Sequence, residues 1–210
     1  MTTTVYATVD DMILRMDAST STTYNDAERA GMLGCLQAAS RAVDGVTRRS
    51  FGQSSSGTIR YFTPVDAFRL RVPDLVSVSA LATDDDGDLT YETSWAATDY
   101  MLYPIDAAEQ EEVQRPYTEI RVSLATGSER NTFPVGYQKS VKVTGIWGWP
   151  VVPDVIREVT ILESLRSYQQ LQSPSGVIAN AAGGFAITPV MHPTSAARLM
   201  PYVRMAWGRS

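Results

Sequence analysis

From Ser140 to Leu171 the chain reads SVKVTGIWGWPVVPDVIREVTILESLRSYQQL, and this stretch constrains the fold more than any other. Val141, Val143 and Ile146 with Trp147 predict a half-buried strand that ends at Gly148. Pro150 and Pro153 prevent either neighbouring element from continuing, because proline lacks the N–H that a ladder or helix interior needs. Pro153 also presets φ for a helix start, and Asp154 places a carboxylate where the helix dipole favours one. Val155, Val159, Leu162 and Leu165 then predict a single apolar stripe on a helix from Pro153 to about Leu171. A strand, a Gly/Trp corner and a proline-started helix therefore follow one another directly.

The rest of the chain supplies more helices and strands around that unit. Thr8 to Met16 predicts a short helix capped by Thr8, with Asp11 in its first turn and Val9, Met12, Ile13 and Met16 on its apolar face. Asn25 with Glu28 three residues later is a capping-box start for the longest helix, expected to reach about Ser50. Met32, Leu36, Ala39, Val43 and Val46 recur every three or four residues along it and form a narrow seam. Arg48 and Arg49 are expected in its last turn, and Gly52 is expected to terminate it. After Gly57 the period changes to two. Thr58–Phe62, Phe68–Val72, Val76–Leu81, Tyr100–Tyr103, Thr118–Leu124 and Ser140–Ile146 are the expected strands, separated by prolines. The class is α+β: a small bundle of two or three helices with an antiparallel β insertion over about 57–147. The expected division is residues 1–173 as one domain and 174–210 as an extended arm, because the stretch from Ser173 is small, flexible in composition and poor in charge.

Composition bounds the function. The net charge is -5, which argues against a general nucleic-acid binder. The acids are concentrated: twelve lie between Asp74 and Glu119, with Arg115 the only base among them. No acid follows Glu163, whereas Arg166, Arg198, Arg204 and Arg209 do. An acidic middle and an acid-free tail predict two surfaces with different partners. No apolar run reaches the roughly 18–20 residues of a membrane span, and the first residues lack the basic end and apolar stretch of a signal peptide.

No constellation for chemistry emerges. Asp84-Asp85-Asp86-Gly87-Asp88 invites a calcium reading, but the helix-loop-helix calcium pattern fails at Ala82 and Thr93. A hairpin turn with Gly87 at positive φ is expected instead. One histidine, His192, and one cysteine, Cys35, exclude the usual zinc sites. His192 lies far in sequence from any nucleophile with its supports, and Cys35 falls within a helical apolar pattern that predicts a buried, inert thiol. There is no nucleophile elbow and no phosphate loop. No catalytic residue, metal or cofactor is expected.

Several segments, taken in order, carry a family resemblance. They are the helix end Ala38-Ala39-Ser40-Arg41-Ala42-Val43-Asp44 with Arg49-Ser50-Phe51, the VKVTGIWGWP corner with its following helix, and the tail segment Ala197-Arg198-Leu199-Met200-Pro201-Tyr202-Val203-Arg204. This set resembles the head–tail connector (adaptor) proteins of long-tailed bacteriophages, departing from the family's tail pattern by Val203 before the arginine. The resemblance implies a non-enzymatic virion protein, made in the host cytoplasm and located in the neck, with no membrane partner. It implies a homo-oligomeric ring, commonly a dodecamer, bound to the portal protein above and to a stopper or tail-completion protein below. Genome DNA would pass through without specific binding. On this reading Arg198, Leu199, Tyr202, Arg204 and Trp207 are expected to dock on the portal. Asp84, Asp85, Asp86, Asp88, Glu109, Glu111 and Glu112 are expected to face the channel. Met32, Leu36, Ala39, Val43, Trp147 and Trp149 are expected at subunit contacts. The alternatives are a stopper or tail-terminator ring protein and, from another class, a small hydrolase using a carboxylate pair such as Glu111 and Glu112.

Overall fold

A computed structural model describes residues 4–16, 23–107, 114–124, 132–172 and 191–204. The chain divides into two compact units: a helical unit from residues 1–51 and 152–210, and a β unit from residues 52–151. The element order is α1 (Val9–Met16), α2 (Asp26–Thr47), β1 (Thr58–Phe62), β2 (Arg69–Thr83), β3 (Thr93–Trp95), β4 (Tyr100–Tyr103), β5 (Tyr117–Val122), β6 (Val141–Trp147), α3 (Asp154–Gln172) and α4 (Pro193–Leu199). The α+β class is the one expected, with the β section inserted in the chain between α2 and α3.

The helical unit begins as the sequence predicts. Thr8 Oγ1 accepts from the Asp11 N–H at 3.1 Å, and the Asp11 carboxylate accepts from the Thr8 N–H at 2.8 Å. Asn25 and Glu28 form the full capping box on α2. Of the α2 seam, Met32, Leu36 and Val43 are fully enclosed, Ala39 is nearly so and Val46 is half-buried. Burying a side chain of that size contributes roughly 1.5–3 kcal/mol relative to exposure. Met32 and Leu36 pack with Met12, Ile161 and Tyr168.

One boundary and one stripe differ from expectation. Helix α2 ends at Thr47, several residues early, because Arg48 adopts the left-handed conformation with φ 55° and its N–H closes on Asp44 O. The turn lets Phe51 reach full burial, edge-on to Tyr6 at 5.7 Å and to Tyr202 at 6.0 Å. On α3 the buried positions are Ile156, Val159, Thr160, Ile161, Glu163, Ser164 and Tyr168, whereas Val155 is exposed and Leu162 and Leu165 are half-buried. The expected stripe is thus rotated toward polar residues. Their polar atoms are satisfied locally: Thr160 Oγ1 donates to Ile156 O, and Ser164 Oγ donates to Ile161 O, both at 2.8 Å.

The β unit is a six-stranded antiparallel sheet in the order β1-β6-β2-β5-β4, with β3 paired to β2. The two central strand candidates are one strand: β2 continues through Pro73. Proline donates nothing to a ladder, and the β2–β5 register shifts between Arg71 and Leu75 to pass it. Strand β3, three residues long, was not predicted. Its Trp95 stacks on Phe133 at 4.7 Å, within the core built by Leu70, Leu75, Leu81, Ile120, Val143 and Trp147.

The Gly/Trp corner closes this unit. Trp147 is buried, and its indole N–H donates to Thr58 O at 2.9 Å. Gly148 has φ 114° and donates to Asp74 O at 2.8 Å. A Cβ at Gly148 would sit 1.9 Å from Gly52 O, with no flexible side chain to yield. Gly148→Ala therefore combines left-handed strain with a backbone clash. It should destabilise the β unit by roughly 2–4 kcal/mol, read as an early loss of tryptophan fluorescence in denaturant melts.

Candidate functional site

Two regions of the structure hold the residues expected to carry function. The first is the C-terminal segment. Residues 191–204, the described part of the expected arm, pack on the helical unit. His192 caps α4, its Nδ1 accepting from the Thr194 N–H at 3.3 Å. Glu163 on α3 is the anchor: its buried carboxylate accepts from Ser195 Oγ and from Arg166, each at 2.5 Å, and from the His192 N–H at 3.4 Å. A carboxylate at the start of α4 answers donors that the helix itself leaves open. Beyond α4, the Arg204 N–H donates to Thr47 O at 2.8 Å.

This placement corrects the docking set. Leu199 is fully buried within the chain, and Tyr202 is half-buried against Phe51, so neither is displayed to a partner. Arg198 is exposed and Arg204 is half-buried; Trp207 lies outside the described residues. The contact set is corrected in the same way. Met32, Leu36, Ala39 and Val43 pack within the helical unit, and Trp147 and Trp149 are buried in the β unit, with the Trp149 indole N–H on Asp74 at 3.2 Å.

The second region is the acidic turn between β2 and β3. Gly87 has φ 88°, as a hairpin turn here requires. Asp84 is buried and organises the turn, accepting from the Gly87 N–H at 2.7 Å and the Leu89 N–H at 2.9 Å. Burial opposes its charge, but these backbone N–H donors outweigh burial and hold its carboxyl below the ordinary range. Asp84 therefore cannot line a channel, whereas Asp85, Asp86 and Asp88 are exposed. Glu109, Glu111 and Glu112 lie outside the described residues. Oxygens of Asp84, Asp86, Asp88 and Glu92 fall within 4.8 Å of one another, a hard-oxygen set of the kind that suits a divalent cation. The backbone bonds of Asp84 already account for its position.

Further shifted groups sit in the helical unit's framework. The Arg157 guanidinium bonded to Asp11 holds that carboxyl low. Burial raises Asp44 despite its 2.5 Å hydrogen bond from the Tyr6 hydroxyl. Burial also raises the Cys35 thiol, as expected of an inert cysteine. His192 serves as the cap of α4, and Ser195 ties that helix to Glu163. The Glu163 anchor was missed in the sequence; its one signal was an acid at the edge of an otherwise acid-free stretch.

No protein-family model matches the chain, and no curated protein matches it. Solved structures do. A chain from the neck of an empty gene transfer agent particle computed with C6 symmetry aligns over 98% of this chain and 94% of its own length, with TM-score 0.54 and 19% identity. The chain shares its fold with that neck chain. A chain from the virion of a native gene transfer agent particle aligns over 100% and 97%, with TM-score 0.52 and 22% identity. No described helix is long and apolar enough to cross a membrane.

Two expectations follow. Glu163→Ala strands the Ser195 hydroxyl and leaves α4 without its anchor. It should cost about 2–3 kcal/mol, with hydrogen exchange accelerating over 193–199 well before the β unit opens. In acid, Asp84 and Asp11 have lowered folded-state values. Their stabilisation is complete above the ordinary 3.8 and is lost as pH falls through those lower values. Asp44 has the opposite sign: its contribution is complete below 3.8 and is lost as pH rises through its raised value. The stability gap between the native chain and Asp84→Asn should therefore be constant near neutrality and close below 3.8, as measured by urea melts across pH.

Proposed function

We propose that this chain is a structural, non-enzymatic subunit of the neck of a phage-like particle, forming the adaptor ring between the portal and a stopper or tail-completion protein. The observation that carries the reading is a likeness to a neck chain that spans 98% of this sequence and takes in both units. The ordered resemblance to phage adaptors agrees with it independently. The ring extends the DNA channel, and a dodecamer is the copy number that the adaptor resemblance favours. The protein carries net charge -5, so it repels phosphate and lets the genome slide past without adhering. Of the two arginines in the expected docking set, Arg198 on α4 is exposed and Arg204 is half-buried, so Arg198 is the one offered to an acidic portal surface.

Electron cryo-microscopy of purified particles tests this reading. A symmetric ring of this chain directly below the portal is the expected result. A ring lower in the neck would mean a stopper or tail terminator instead. Absence of the chain from the particle would sink the structural role altogether.

A further inference from the structure

Two segments from opposite ends of the sequence meet in the helical unit on one residue, the fully buried Phe51. From the N-terminal side comes Tyr6, only 4% exposed. Its ring meets Phe51 edge-on at 5.7 Å. Its hydroxyl makes two bonds at once, donating to Asp44 Oδ1 at 2.5 Å and accepting from the Phe51 N–H at 2.9 Å. The same segment is tied to α2 by the Tyr6 N–H on Ser40 Oγ at 3.3 Å and by the Arg41 guanidinium on Thr4 O at 2.8 Å. From the C-terminal side comes Tyr202, whose ring lies 6.0 Å from that of Phe51. Beside it, the Arg204 N–H closes on Thr47 O at 2.8 Å.

Helix α2 does not hold Phe51 in place by itself. Beyond the left-handed turn at Arg48, the Phe51 N–H takes the Tyr6 hydroxyl in place of a helical carbonyl. An enclosed N–H that loses its acceptor is costly, so the inward position of Phe51 depends on Tyr6. The Phe51 ring is in turn a surface on which Tyr202 rests, and edge-on aromatic pairs hold each other in register. Withdrawing Tyr6 frees Phe51 and removes part of the wall beneath Tyr202. Withdrawing Tyr202 opens Phe51 to water and loosens its grip on Tyr6. Two segments that bias one shared element are coupled, and the coupling is reciprocal.

We propose that Phe51 is a coupling residue, through which segments 4–7 and 200–204 dock cooperatively on the end of α2. A partner that lifts either segment therefore loosens the other, and one that clamps either segment tightens the other. The coupling belongs to the single chain, whatever that chain assembles with.

Residue-resolved amide hydrogen exchange on the full chain tests this. Tyr6→Phe removes the hydroxyl and keeps the ring. It should accelerate the Arg204 amide, at the other end of the sequence, by about fivefold. Tyr202→Ala should accelerate the Tyr6 amide by a similar factor, and Tyr202→Leu takes its place should the alanine variant fail to fold. In the double variant each amide should accelerate by less than the product of the two single effects, because either change alone has already released Phe51. Ile161→Val trims the core cluster of Met12, Met32 and Tyr168 and controls for general loosening; it should leave the Arg204 and Tyr6 amides unchanged. An Arg204 amide indifferent to Tyr6→Phe would overturn the proposal. So would single effects that multiply in the double variant, or an equal acceleration of both amides by Ile161→Val.

Discussion

The β unit depends on the corner at Trp147-Gly148-Trp149. Strand β6 pairs with β1 on one side and β2 on the other, so its end fixes three strands at once. Trp147 fills the core and bonds back to Thr58, Gly148 bonds to Asp74 O, and the Trp149 indole bonds to the Asp74 side chain. The Gln53 amide donates to Pro150 O at 2.6 Å, and the Ser54 N–H donates to Trp147 O at 2.8 Å. The entry and exit of the β unit are therefore tied to each other. A hundred residues can then be carried as an insertion between two helices without either end pulling on the sheet.

The helical unit solves a different problem. Its interfaces use small and hydroxyl-bearing residues, which permit close approach but bring polar atoms inside. Ser40, Thr47, Thr160 and Ser164 are all fully buried. Each donates to a carbonyl three or four residues back on its own helix. The hydroxyl proton of each is thereby satisfied within one helix. Ser40 Oγ also accepts from the Tyr6 N–H at 3.3 Å, and the Glu163 oxygens reach another segment and fix α4 in place.

What could be read in advance followed local rules. The capping boxes, the hairpin turn at Gly87 and most strand centres depend on residues within a few positions of one another, and the sequence displays those directly. What could not be read depended on tertiary partners. Pro73 looks like a strand terminator until a bulge absorbs it, and Thr93–Trp95 is too short to announce itself without β2 alongside. Arg48 in the left-handed region is unremarkable as a letter; the reward is the burial of Phe51 three residues later. The tail looked unstructured because its composition is, yet Leu199 and Ser195 find enclosed positions that a composition count cannot foresee.

The acid-rich middle makes the same point with consequences for function. Read as letters, its carboxylates form one acidic surface. In the fold they separate into two populations. Asp74, Asp84 and Asp99 are buried, and each accepts N–H donors within the β unit, Asp99 from Ala96 at 2.8 Å. These acids are part of the scaffold, and their charge is screened from any partner by the donors that hold it. Asp85, Asp86, Asp88 and Glu92 stand outside, grouped on one turn whose shape the buried Asp84 sets. The exposed acidity is thus narrower than the sequence suggests and rigidly mounted. A diffuse negative field would only repel phosphate. A fixed acidic turn with an exposed leucine has a direction and register that a diffuse field lacks.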